Sequence, residues 1–262
     1  MKFRFIPAAL LSVVAITLTG CSASSAADDS LSSVLDAGTL TIGTEGTYRP
    51  FSFHADGSGE LTGYDVEVAR AVAAELGVDA VFEETQWDGI FAGLTAGRWD
   101  TIANQVSITP ERLEAYEFST PYTYSTGVIV VPADNTSITS FASLDGLTTA
   151  QSLTSNWYTL ATESGANVQS IEGWAQSVAL VEQGRVDATV NDKLTFLDYQ
   201  KTNGADNLKI AAETEERSES AFAFAQDGTA LADAVSEALA TLAADGTLAE
   251  LSDTYFGADV SQ

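Results

Sequence analysis

The sequence predicts an α/β protein of two similar lobes, each a mostly parallel sheet flanked by helices, joined by two hinge segments. Three observations lead there. Strand-like and helix-like runs alternate in βαβαβ order between Leu40 and Ala103, the mark of a mainly parallel sheet. The pattern Gly-Arg-x-Asp-x-x-x-Asn occurs twice, at Gly97–Asn104 and Gly184–Asn191, and each copy follows one amphipathic helical run and precedes another. Two extended runs, Gly127–Val131 and Ser220–Ala225, are placed to carry the chain out of one lobe and back. A pair of crossings makes a hinge, and hinge closure about a ligand is the motion it allows.

The elements follow in order. Leu40–Gly43 is the first core strand, and Glu45–Pro50 is the loop beyond its end, the usual position of a ligand site in an open α/β sheet. Phe51–Phe53 and the Asp56-Gly57-Ser58-Gly59 turn predict a small hairpin ending at Gly63. A helix capped by Asp65 carries Val68, Val72 and Leu76 on one face and stops at Gly77. A strand at Ala80–Glu83 leads to the helix opened by Gln86-Trp87-Asp88 and closed by Gly97. Thr101–Ala103 is a buried strand, after which Thr109 caps a helix with Pro110 in its first position. The second lobe holds a helix near Phe141–Leu144, a strand ending at Gln151, a helix after Asn156, a strand near Val168–Ile171, a helix from Trp174 to Gln183, the repeated strand to Asn191 and a further helix to about Lys201. Leu208–Ala211 is a strand, and two helices lined by Leu231, Val235, Leu239 and Leu242, then by Leu248, Leu251 and Tyr255, finish the chain. The expected organisation is residues 39–126 with 218–262 in one lobe and 127–217 in the other.

Before the lobes, Lys2 and Arg4 precede an apolar run from Phe5 to Leu18, a secretory signal over residues 1–20 that is too short for a comfortable membrane span. Leu18-Thr19-Gly20-Cys21 resembles the lipobox of bacterial lipoproteins, and Cys21 is the only cysteine of the chain. Residues 21–38 are then a lipid-anchored flexible tether, and the folded part is extracytoplasmic, in the periplasm or on the outer face of the cytoplasmic membrane. The formal charge is −26, which becomes −28 with nine basic residues once Lys2 and Arg4 are removed. Such a surface repels nucleic acid and acidic membranes, so neither is an expected partner apart from the lipid.

Against that background Arg112 stands out. It lies in the first turn of a helix, where a cation opposes the macrodipole at a cost of up to about 1 kcal/mol. Glu111 offsets that cost, or a bound anion beside the free N–H groups does. The equivalent strand end of the second lobe offers Asp192. A cation on one wall of a cleft and an anion on the other fit a zwitterion such as an amino acid.

The chain resembles the solute-binding proteins of polar amino-acid ABC importers, bacterial extracellular solute-binding protein family 3, whose fold is the type II periplasmic binding protein fold. The resemblance runs over residues 39–258 and rests on Glu45-Gly46-Thr47-Tyr48-Arg49-Pro50-Phe51, Gly63-Tyr64-Asp65-Val66-Glu67, Trp87-Asp88-Gly89-Ile90, Ile108-Thr109-Pro110-Glu111-Arg112, Phe118-Ser119-Thr120-Pro121-Tyr122 and Tyr255-Phe256-Gly257. Asn104-Gln105-Val106 and Gly257-Ala258-Asp259-Val260 look most like the cystine-binding members. The resemblance implies that Arg112 forks onto the α-carboxylate of the ligand, with Ser107 and Ser155 adding hydroxyls, and that Asp192 takes the α-ammonium. It implies that Tyr48 and Trp87 hold the ligand side chain between their rings, where a disulfide gains sulfur–aromatic contact. Glu45, Asn104 and Gln105 complete the implied pocket. Thr154 stands where the family has glycine, which puts close backbone approach there in question. The implied partner is an ABC permease, with the binding protein acting as a monomer.

An enzyme is the rival class, because a lyase, cyclohexadienyl dehydratase, shares this fold and fold does not fix function. Glu45 is the one position for its acid. One histidine and one cysteine supply neither a metal cluster nor a nucleophilic triad, so no cofactor or metal is expected. Glutamine or another polar amino acid is the alternative ligand. A membrane-receptor sensor domain would need a spanning helix beyond the leader, and the sequence holds none.

Overall fold

The computed structural model describes Met1, Lys2 and residues 28–262. The signal segment from residue 3 onward, Cys21 and the start of the expected tether lie outside the described residues. The tether ends earlier than expected. Ser30–Ala37 form helix α1, closed by Gly38 in the left-handed conformation. Val34 is buried and Leu31 packs on the core, so one apolar face anchors the segment. Asp28 and Ser30 also accept from the backbone N–H groups of Ala230 and Leu231, satisfying donors at the start of a C-terminal helix.

Strand β1 (Thr39–Thr44) leads into a three-stranded meander, β2 (Thr47–Tyr48), β3 (Ser52–His54) and β4 (Leu61–Thr62). Helix α2 (Tyr64–Leu76) is capped by Gly63, not by Asp65, and stops at Gly77 in the left-handed conformation. Asp65 is buried in its first turn with a different task. Strand β5 (Asp79–Glu84), helix α3 (Trp87–Thr95) and strand β6 (Thr101–Ser107) follow, and every residue of β6 is buried. The short helix α4 (Pro110–Leu113) is capped by Thr109, whose hydroxyl accepts from the Arg112 N–H. Strands β7 (Tyr116–Phe118) and β8 (Thr123–Ser125) bring the chain to the first crossing.

Beyond it lie β9 (Gly127–Pro132), β10 (Thr148–Gln151), α5 (Asn156–Glu163), β11 (Asn167–Ser170), α6 (Gly173–Glu182), β12 (Thr189–Asp192), α7 (Lys193–Asn203) and β13 (Leu208–Glu213). The chain returns through β14 (Ser218–Ala225) and ends in α8 (Thr229–Ala244) and α9 (Thr247–Phe256). Phe141–Leu144, expected as a helix, is a single 3₁₀ turn.

The first sheet has the order β5-β1-β6-β14-β7, with β8 also on β14. Strands β5, β1 and β6 are parallel, and β14 runs against β6. In the second region β11 and β10 are parallel, a parallel bridge from Thr149 to Ala188 ties β10 to the approach of β12, and β9 runs against both β12 and β13. The second region is thus a parallel pair, β10-β11, beside an antiparallel three-stranded sheet, β12-β9-β13, and in both regions a crossing strand supplies antiparallel pairing. At the crossings, the Gly127 and Thr214 backbones exchange a bond from the Thr214 N–H to the Gly127 carbonyl at 2.8 Å, and the Gly127 N–H donates to the Thr214 hydroxyl at 3.0 Å.

The repeated motif has one structure in both places. Gly97 and Gly184 end their helices at positive φ, each followed by an arginine whose N–H closes the last turn. Asp100 Oδ2 accepts from the Thr41 N–H at 2.7 Å, and Asp187 Oδ2 accepts from the Thr148 N–H at 2.8 Å. Each aspartate pins the start of its strand to the neighbouring one. Both copies then deliver an asparagine, Asn104 or Asn191, to the same cleft.

Candidate ligand-binding site

That cleft encloses about 500 Å³, its open mouth included, between the ends of β1, β6, β10 and β12. Of the residues expected there, Glu45, Tyr48, Trp87, Asn104, Gln105 and Ser155 line it. Asn191, Gln151, Trp157 and Trp174 line it as well and were not assigned a ligand role from sequence. Asn191 was open to detection, since it is the repeat partner of Asn104.

Local bonds fix these groups. Asn104 is fully buried; its Oδ1 accepts from the Glu45 N–H at 2.8 Å and from the Thr44 hydroxyl at 3.0 Å, and its Nδ2 donates to Glu45 Oε2 at 2.6 Å. Burial pushes the Glu45 carboxyl up to about 7, with Glu172 and Asp88 adding repulsion. The Tyr48 hydroxyl donates to Asn191 Oδ1 at 2.9 Å and accepts from Thr195 at 3.0 Å, so one ring spans from the β2–β4 meander to β12 and α7. Gln105 adopts a left-handed backbone (φ 50) at the cleft floor. Ser155 caps α5: its hydroxyl accepts from the Tyr158 N–H and donates to the Ser152 carbonyl.

Ser107, Arg112, Thr154 and Asp192 stand just outside this wall. Arg112 is 8% exposed, donates to the Ser107 carbonyl at 2.9 Å and the Thr154 carbonyl at 3.4 Å, and lies 5.4 Å from the Trp87 ring centre and 5.1 Å from that of Phe91. Among the described residues no carboxylate pairs with it. Desolvation lowers its pKa to about 10. Asp192 caps α7, accepting from the Leu194 N–H and the Ser125 hydroxyl, both at 2.8 Å, and burial raises its pKa to about 6. The Ser107 hydroxyl faces Ser218 at 3.2 Å. Thr154 differs from expectation: its N–H and its hydroxyl are both taken by Asp88, at 3.0 and 2.9 Å.

Three polar atoms of cleft-lining residues, Trp87 Nε1, Gln105 Oε1 and Gln151 Nε2, are buried with no partner among the described residues. Native folds rarely leave such groups unpaired, and orphans gathered at one cavity mark a place for a polar ligand. Among the described residues no group of metal-binding side chains occurs, and no helix is long and apolar enough to cross a membrane.

An α/β fold with a polar cleft between the strand ends of separate sheets is the architecture of a solute-capturing protein. A sequence profile of the bacterial extracellular solute-binding proteins, family 3, matches residues 40–258, and the chain belongs to that family. It is 49% identical to the L-cystine-binding protein TcyA of Bacillus subtilis over 234 residues, 89% of this chain and 87% of that one. The L-cystine solute receptor of Neisseria gonorrhoeae, solved in an unliganded open conformation, is 45% identical and overlays with a TM-score of 0.60 over 88% of this chain and 99% of that one. An ancestral arginine-binding protein bound to arginine is 32% identical and overlays with a TM-score of 0.78 over 84% of this chain and 99% of the other. The less similar sequence gives the better overlay.

Proposed function

We propose that this protein is an extracytoplasmic lipoprotein, anchored through Cys21, that captures L-cystine between two closing lobes and delivers it to an ABC permease. Residues 39–126 with 218–262 form one lobe and 127–217 the other. The observation that carries the reading is Arg112, a buried guanidinium with no carboxylate partner among the described residues, set behind an aromatic wall in a family of solute-binding proteins. A desolvated cation is costly until an anion pairs with it, so a ligand carboxylate would supply the missing partner. Opposite it, Asp192 and the orphaned Gln105 oxygen are acceptors suited to an ammonium group. Ser107, Thr154 and Ser155 flank the carboxylate end. Tyr48 and Trp87 lie along the ligand side chain, and Glu45 and Asn104 close the far end.

Cystine is favoured over glutamine and other polar amino acids because relatives at 49% and 39% identity are L-cystine-binding proteins. The better overlay on a ligand-bound structure than on an open one supports reading the present arrangement as closed. The protein acts by binding, as a monomer and without turnover or cofactor.

The test is a thermal-shift screen of residues 22–262 against cystine and the common amino acids. A ligand at a hundredfold excess over its Kd adds about 2.7 kcal/mol. A shift with cystine alone is expected. A shift with another amino acid overturns the cystine assignment, and no shift at all overturns the zwitterion reading and leaves prephenate-like acids to be tested for turnover. Metabolic labelling with a fatty acid, abolished by Cys21→Ala, tests the anchor.

A further inference from the structure

Two carboxylates that line no part of the cleft face each other's lobe across its rim. Asp88, in the first turn of α3, accepts from both the N–H and the hydroxyl of Thr154, just before α5. Glu172, immediately before α6, reaches in the opposite sense toward the start of α3; burial and the nearby Asp88 carboxylate raise its pKa, and the backbone N–H groups of Trp87 and Asp88 offset part of that rise. It completes no full hydrogen bond there, and its Oε1 remains buried without a partner. Among the described residues neither carboxylate is paired with a lysine or arginine. The Trp87 and Asp88 N–H groups belong to the start of α3, where no partner exists within the helix, and the Thr154 N–H lies in the loop just before the cap of α5. In an opened cleft both sets would return to water.

We propose that Asp88 and Glu172 form a closure latch, with the Asp88 arm engaged and the Glu172 arm poised, which sets how long the closed cleft persists. They are positioning residues: they touch no ligand, and act by favouring the only arrangement in which Arg112 and Asp192 address the same solute. This rests on the capture reading above. A closed state that is less stable relative to the open one weakens every ligand held in it by the same factor. Loss of the latch therefore lowers affinity without changing selectivity, and does so through release.

The experiment uses the full chain with Asp88→Ala, Glu172→Ala and the double variant. Dissociation of radiolabelled cystine is expected to speed up about fivefold for Asp88→Ala, less for Glu172→Ala, with association unchanged. The affinities for cystine and for a weaker amino-acid ligand should fall by the same factor. Small-angle scattering of the ligand-free double variant should give a larger radius of gyration than wild type, and saturating cystine should remove the difference. Unchanged dissociation, or an unchanged ligand-free radius, overturns the latch. A shift in the ratio of the two affinities does so too, because it would place these side chains against the ligand. If wild type binds no amino acid, the capture reading falls, and the ligand-free radius alone still decides the latch.

Discussion

Asp65 grips Gln105 with both carboxylate oxygens: Oδ2 accepts from the Gln105 backbone N–H at 2.6 Å and Oδ1 from its side-chain Nε2 at 2.7 Å. The second Nε2 hydrogen goes to the Thr123 hydroxyl at 3.0 Å. Above its pKa of about 7 the Asp65 carboxylate cannot donate, so there the amide is held in this orientation, and Oε1 is left at the cleft wall with no partner among the described residues. An aspartate read from sequence as a helix cap thus determines which end of a neighbouring amide is left unpaired at the cleft.

Asp65→Asn supplies a donor and lets the Gln105 amide reverse, presenting Nε2 where an acceptor stood. Cystine affinity should fall at least about tenfold, a loss of about 1.4 kcal/mol, while the fold persists. Calorimetry at pH 8 beside a denaturant melt separates the two effects. Wild-type affinity would remove the Gln105 oxygen from the ammonium site.

Arg112→Met removes the buried cation but keeps much of its apolar stem. Binding of cystine should vanish in calorimetry, and the ligand-free unfolding free energy should stay within about 1 kcal/mol of wild type, since lost hydrogen bonds are offset by relief from desolvation. Binding at wild-type strength would remove Arg112 from the carboxylate site.

The cleft is also expected to titrate. Burial raises Glu45 and Asp65 to about 7 and Asp192 to about 6 from ordinary values of 4.5, 3.8 and 3.8. The folded, ligand-free protein therefore holds protons that the unfolded chain has released. Their stabilising effect is full below about pH 4 and is lost as pH rises through 6 to 7. The ligand-free thermal midpoint should be higher at pH 5 than at pH 8 as far as these groups govern it, and Glu45→Gln should flatten the difference. An ammonium placed among these carboxyls favours their charged forms, so binding near pH 6.5 should release protons, measurable as a dependence of the binding heat on buffer.

A purely structural prediction concerns Gly93. A Cβ there would lie 2.0 Å from Trp99 ring atoms, and Trp99 is held in a buried cluster with Ile90, Leu94 and Ile102. Gly93→Ala should cost about 3 kcal/mol in a denaturant melt. Near-wild-type stability would mean that the indole can move aside.

The sequence made the architecture legible where signals are local. Gly77, Gly97 and Thr109 end or begin helices because a left-handed cap or a side-chain acceptor acts within a few residues, and the twin arginine–aspartate motifs exposed the two equivalent strands. Contacts between distant segments were beyond its reach. Nothing near Tyr48 announces Asn191, and nothing near Asp88 announces Thr154, because those pairs exist only once two separately folded regions meet. Helix α1 escaped for another reason: eight residues with one buried side chain carry too little apolar periodicity to be told from a linker. Arg112 stands out in the sequence as an oddity, a cation in the first turn of a helix, and its burial with no acidic partner among the described residues accounts for that oddity better than surface solvation does.

The chain contains four tryptophans, and three of them, Trp87, Trp157 and Trp174, line the cleft, while Trp99 sits away from it beneath Gly43 and Gly93. The protein therefore carries its own optical reporter. Occupancy of the cleft changes the surroundings of three indoles against the steady background of the fourth, and a disulfide laid against an indole quenches its emission. Cystine and an amino acid of similar length without sulfur should be distinguishable by the depth of that quench, in unlabelled protein.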